Sequence, residues 1–183
     1  MSNDKEMNVC IAITNLAGGG AERSTIDLIK YFQDCNHNIT LILLNSKIEH
    51  EIPEGLNFYV LSDLEKSNNR GWFGKRLLAY RFRVLWMKLN IINQFDLTLV
   101  RLPFCWEIVH LSKIPDPVYY VDNSLNNEIV KLGGESKNKS IRRLSRYREI
   151  FHGRRVVACS KGVQGDLLSL FGSTARFIDL INN

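Results

Sequence analysis

"NVCIAITNLAGGGAERSTIDLIKYFQDCNHNITLILL", residues 8–44, decides how this chain folds. Its opening run (Asn8 to Thr14) and closing run (Ile39 to Leu44) are apolar and β-branched with little alternation. That pattern belongs to strands covered on both faces in a parallel sheet. Between them Thr25, Leu28, Ile29 and Phe32 recur at spacings of three and four, so they share one face of a helix. Strand, glycine loop, helix, strand is a βαβ unit.

Working outward, five more short apolar runs read as strands: Asn57 to Leu61, Asp96 to Val100, Pro117 to Val121, Arg155 to Cys159 and Arg176 to Ile181. About seven strands alternating with helical patterns imply an α/β chain, a single Rossmann-like, doubly wound and mostly parallel sheet with helices on both faces. In such sheets ligands sit beyond the carboxyl ends of the strands. The loops after Thr14, Val100 and Val121 are therefore the places to look. Two stretches break the rhythm: the polar "SDLEKSNNRG" (62–71) with the long helix after it, and "GGESKNKS" (133–140), which reads as flexible.

The 183 residues, 45% of them hydrophobic, suit one domain with a substantial core. A formal net charge of +5 favours anionic partners. The cysteines, Cys10, Cys35, Cys105 and Cys159, form neither a CxxC pair nor a zinc set and read as free thiols of a reducing compartment. His37, His50, His110 and His152 show no ligand spacing, so no metal is expected. The N-terminus lacks a signal-peptide core, and no run approaches the roughly 18 apolar residues of a membrane span. A cytoplasmic protein is expected, with peripheral contact to the inner membrane face left open.

The glycine loop has two readings. A dinucleotide fingerprint needs G-x-G-x-x-G and an acid closing the second strand. Gly18 and Gly20 fit, but Arg23 holds the third position and the second strand runs into Asn45. No Gly-Lys-Ser/Thr follows, which excludes a P-loop. What remains is a bare turn feeding a helix N-terminus, either a tight turn with Glu22 in the first helical turn or a seat for an anionic or hydroxyl-rich ligand.

"GGGAERSTIDLIKYF" resembles the first loop and helix of the retaining GT-B glycosyltransferases that build bacterial lipopolysaccharide, capsule and glycolipids. In collinear order, "YYVDNSL" resembles that family's fifth-strand motif, "VVACSKGVQGDLLSLFG" its next strand and helix, and "RFIDLINN" its last strand before the interdomain linker. The resemblance implies that residues 1–183 are the N-terminal, acceptor-side half of a GT-B fold. A nucleotide-sugar donor is held mainly by a second Rossmann-like domain that follows it in the family, so this portion alone is expected to be inactive. Gly18, Gly19, Gly20 and Arg23 would form the loop against donor phosphates and acceptor. Asp122 stands where the family usually has histidine, and a carboxylate there can accept an acceptor hydroxyl's proton. Asn123, Ser124 and Arg101, which follows the fourth strand, would bind the acceptor, a saccharide or a lipid-linked one. The nucleotide sugar is a substrate, and no cofactor is implied.

Two basic stretches complete the reading. Residues 70–88, "RGWFGKRLLAYRFRVLWMK", hold six Lys or Arg, no acid and several aromatics. On a helical wheel Leu78, Phe82, Leu85, Leu89 and Ile92 form a core-facing stripe, with Arg76, Tyr80, Arg83 and Met87 opposite. Arg76, Tyr80 and Arg83 suit an anionic membrane surface. A non-catalytic module docking on anionic membrane or a partner subunit through this segment is the alternative function. Residues 137–155 carry eight bases and one acid, Glu149, the composition of a solvated helix face. No DNA or RNA recognition motif accompanies them, and nucleic acid is not an expected partner.

Overall fold

The computed structural model describes residues 5–62 and 71–180. Most of the polar 62–71 loop, Arg70 and the end of the last strand run at Ile181 fall outside the described residues. The chain forms two compact units, Met1–Pro115 and Asp116–Asn183.

In the first unit β1 (Asn8–Ile13), α1 (Gly20–Asp34), β2 (Asn38–Leu43), β3 (Asn57–Val60), α2 (Trp72–Asn93), β4 (Leu97–Arg101) and α3 (Pro103–Ser112) follow in order. The strands are arranged β3-β2-β1-β4, every neighbouring pair parallel. Residues Val9 to Ile13 of β1 are wholly buried, as a central strand covered on both faces requires. From β1 the chain winds outward through α1 to β2 and β3, then returns past both to place β4 on the other side of β1. Right-handed crossovers put α1 on one face and α2 on the other. The strand order reverses between β1 and β4, so the crevice beyond their carboxyl ends is the topological switch point.

The second unit contains β5 (Val118–Val121), α4 (Leu125–Glu135), α5 (Lys137–Phe151), β6 (Arg155–Ala158), α6 (Lys161–Phe171) and β7 (Phe177–Leu180). Its strands, β5-β6-β7, are again parallel. Tyr119, Tyr147, Phe151 and Phe171 pack ring against ring at centroid separations of 5.3–6.1 Å and form its aromatic core. All seven strands expected from sequence are present, and the chain has the Rossmann-like α/β class they implied.

Three local expectations are corrected. Residues 133–140 are not a loop: α4 and α5 abut, separated only by Ser136 in extended conformation (φ −167°, ψ 117°), and Ser140 Oγ donates to the Ile129 carbonyl at 3.0 Å across the break. Arg101 does not follow the fourth strand but is its last residue. The buried face of α2 consists of Leu78, Ala79, Phe82, Trp86 and Leu89, with Ile92 exposed. Trp86, on the side of the buried arc away from Ile92, donates from Nε1 to Thr98 Oγ1 of β4 at 3.1 Å.

Candidate active site

The glycine loop is built by extension of the β1–β2 ladder. Beyond the strands, Leu44 N and Asn45 N donate to the carbonyls of Ile13 and Thr14, both at 3.1 Å. Leu16 then pairs with Ile48, donating to Lys47 O at 3.0 Å and accepting from Glu49 N at 2.8 Å. Asn15 Oδ1 accepts from Ala17 N at 3.1 Å in an Asx turn. The chain next passes Gly18 at φ +67°, where a side chain would be strained and its Cβ would meet Glu49 Oε2 at 2.6 Å.

Gly19 caps α1 in extended conformation with no side chain to satisfy the first helical N–H groups. Gly20, Ala21 and Glu22 therefore present donors that have no intrahelical acceptor, at the positive end of the helix dipole. The Glu22 side chain folds back against Gly19, where any β-carbon would collide with its carboxylate. Beside Gly20 there is open space, and Arg23 is exposed.

Beneath this turn lies a contact that spacing does not reveal. Arg101, 1% exposed, donates from Nη2 to Ser24 Oγ at 2.7 Å. Ser24 Oγ in turn donates to Ala21 O at 3.1 Å. The end of β4 is thereby tied to the first turn of α1 across the switch point, and a buried guanidinium adds its charge to the positive helix end. Leu102, the next residue, has φ +69°, a conformation that costs a non-glycine residue roughly 1–3 kcal/mol and concentrates at functional sites. Thr14 Oγ1, at the mouth of β1, and His50 Nε2, on the loop that lines Gly18, are both shielded from solvent without a hydrogen-bond partner. Ser24, Glu49, Leu102, Thr14 and His50 are thus absent from the sequence-derived set. Only the G-x-G-x-x-[not G] departure near Ser24 could have drawn attention to that stretch.

The second unit holds the remaining candidates as a group of their own. Asp122, Asn123 and Ser124 follow β5 in succession. Asp122 is half-buried with Oδ2 shielded from solvent, and its backbone carbonyl accepts from Cys159 Sγ at 3.1 Å. Asn123 is exposed. The Ser124 hydroxyl accepts from Asn127 N at 3.2 Å and donates to Asp166 of α6, so it serves as the cap of α4. Nearby in the fold, Tyr147 hydrogen-bonds Glu128 at 3.2 Å, and burial, reinforced by the Glu128 charge, pushes its phenol up to about 12.

Arg76, Tyr80 and Arg83 are all exposed on α2. Among the described residues no group of three His, Cys, Asp or Glu is placed to hold a metal ion, and no helix is long and apolar enough to cross a membrane.

Residues 18–183 match the family described as Glycosyltransferase Family 4. No curated protein matches the chain. Among solved structures it is similar to sucrose-phosphate synthase from Thermosynechococcus elongatus, with a TM-score of 0.66 at 8% identity over 97% of this chain and 48% of that one. It is also similar to a glycosyltransferase from Rickettsia africae, with a TM-score of 0.56 at 16% identity over 98% of this chain and 44% of that one. The chain thus spans about half the length of the structures it resembles.

Proposed function

The chain belongs to glycosyltransferase family 4, and from that premise we propose that it is the N-terminal, acceptor-side domain of a retaining GT-B transferase. That enzyme moves a sugar from a nucleotide-sugar donor to a saccharide or lipid-linked acceptor, in the synthesis of bacterial surface polysaccharide or lipopolysaccharide. A second Rossmann-like domain holds most of the donor, and residues 1–183 alone do not transfer. The enzyme works in the cytoplasm, at the inner face of the membrane, and needs no metal of its own.

The observation that carries this reading is the bare glycine turn at the switch point, backed by the buried Arg101–Ser24 contact. Its N–H groups, the helix dipole and the exposed Arg23 suit the donor phosphates. Glu22 and Glu49, which lie against Gly19 and Gly18, are acceptors for sugar hydroxyls. Asp122 orients or deprotonates the acceptor hydroxyl, with Asn123 as a hydrogen-bonding neighbour. Arg101 supports the glycine turn through its contact with Ser24, and Ser124 supports the Asp122–Asn123 segment through its contact with Asp166. The test is transfer from nucleotide sugars to a lipid-linked acceptor by the full-length enzyme. Gly19→Asp and Asp122→Ala are expected to abolish it, and full activity in either variant refutes the corresponding role.

A second reading, a non-catalytic module that docks through residues 70–88, is favoured by the exposed Arg76, Tyr80 and Arg83. Loss of vesicle binding on changing Arg76 and Arg83 to Glu, with no transfer activity in the full-length protein, would select it.

A further inference from the structure

Helix α2 is apolar on two opposite faces. One is spent on the core through Leu78, Ala79, Phe82, Trp86 and Leu89. The other consists of Phe73, Leu77, Tyr80, Val84, Met87 and Ile91, all exposed, with Phe73 at 80% and Ile91 at 77%. Their spacing of four, three, four, three and four places them on one line along a helix about 33 Å long. Monomeric soluble proteins seldom leave so continuous an apolar stripe in water.

The charges beside the stripe identify what covers it. At 100° per residue Arg76 and Arg83 flank it on one side, Arg81 and Lys88 on the other, and α2 contains no acid. A second copy of the same helix would set base against base in either orientation. An anionic bilayer neutralises both flanks at once while its acyl boundary takes the apolar line, as with helices that lie in the interface plane.

Because α2 connects directly to β4, it runs antiparallel to that strand. Its N-terminal Trp72 and Phe73, stacked edge to face at 4.6 Å with Arg76 over the Trp72 ring, therefore lie at the same end of the sheet as the glycine loop. Aromatic rings of this kind settle at the headgroup level.

We propose that α2 is an in-plane membrane anchor, its Phe73–Ile91 stripe immersed in an anionic lipid surface and its four flanking bases paired with headgroups. The anchor is a property of α2 alone and stands whether or not the transferase reading does.

The experiment is co-sedimentation of the 183-residue chain with phosphatidylglycerol–phosphatidylcholine vesicles and with pure phosphatidylcholine. Trp72 emission is followed in parallel, because Trp86 and Trp106 are buried and report little change. Binding to the anionic vesicles and a blue shift of Trp72 are expected. Each flanking base contributes a factor of about five, so Arg76→Glu with Arg83→Glu is expected to weaken binding by more than twentyfold. Leu77→Glu with Met87→Glu is expected to abolish it and the blue shift while leaving the circular dichroism spectrum unchanged, since both positions are exposed. Unchanged binding in that second variant overturns immersion of the stripe. Indifference of the native chain to anionic vesicles overturns the anchor, as does a dimer that Leu77→Glu dissociates, which would make the stripe an interface between copies.

Discussion

Adding one β-carbon to the glycine loop should have opposite effects two residues apart. Gly20 is the first helical residue of α1 with ordinary backbone geometry, and nothing lies within 4 Å of the position an added Cβ would take. Alanine there lowers the entropy of the unfolded chain without strain and stabilises by about 0.4–1 kcal/mol. For 183 residues this raises Tm by roughly 1–4 °C. Gly18 has φ +67° and Glu49 Oε2 2.6 Å from the same added atom. The left-handed conformation alone costs alanine roughly 1–2 kcal/mol. Displacing Glu49 from its half-exposed pair with Lys47 adds little. Gly18→Ala should therefore melt some 2–8 °C lower. Differential scanning fluorimetry of the two variants tests the geometry, and transfer by the full-length enzyme tests its meaning. Gly20→Ala should be the more stable protein and the poorer enzyme, because its methyl occupies the space beside the free helix N–H groups. Stabilisation with undiminished transfer would refute the close approach of substrate to this loop, and destabilisation would refute the loop geometry itself.

Three further outcomes follow from single contacts. Ser24→Ala removes the acceptor of a charged, buried donor and should cost about 1.5–3 kcal/mol; in a double-mutant cycle with Arg101→Met by urea denaturation, the two losses should be strongly non-additive, and additivity would deny the contact. Lys75→Met removes the 2.7 Å ion pair with Glu107, in which both side chains are largely shielded, and the cost measured the same way should fall between the ~1 kcal/mol of an exposed pair and the roughly 3–5 of a buried one. Tyr147 stays protonated in the folded chain up to about 12 while its unfolded counterpart ionises near 10. Stability from this group is intact below pH 10 and is lost as pH rises through 12, so Tyr147→Phe should flatten that alkaline fall, and an unchanged profile would contradict the burial of the phenol.

The inner strands were legible because parallel strands buried on both faces need near-continuous apolar runs, whereas the edge strands β3 and β7 are apolar runs that stay exposed or only part-buried. Helix α2, apolar on two faces, was legible only in part. In α2 Leu78, Phe82 and Leu89 of the expected stripe do face the core, but Trp86, which donates to Thr98 of another element, joins them while Ile92 stays exposed. The break at Ser136 was missed for another reason: two glycines and a lysine-rich run look like a loop, but α4 and α5 are held by packing against each other. Of the candidate site, the glycine turn announced itself through Gly18 and Gly20. Its support did not, because Ser24 and Arg101 are 77 residues apart and the strained backbone at Leu102 has no signature in residue type.

The two departures from the dinucleotide fingerprint acquire a common explanation in these contacts. The third glycine of that fingerprint exists to let helix and strand pack closely. Here the helix is tied to the sheet instead by the hydrogen bond from Arg101 to Ser24, leaving Arg23 exposed beside the turn. The acid that would close the second strand is replaced by Asn45, whose Oδ1 accepts from Lys47 N at 3.1 Å. That turn shapes the segment carrying Ile48 and Glu49 back onto Leu16 and Gly18. The residue that would read a ribose therefore builds the loop, and the position that would pack helix against strand carries an exposed cation instead. The helix is thus anchored to the sheet one residue further along the chain, at 24 rather than 23.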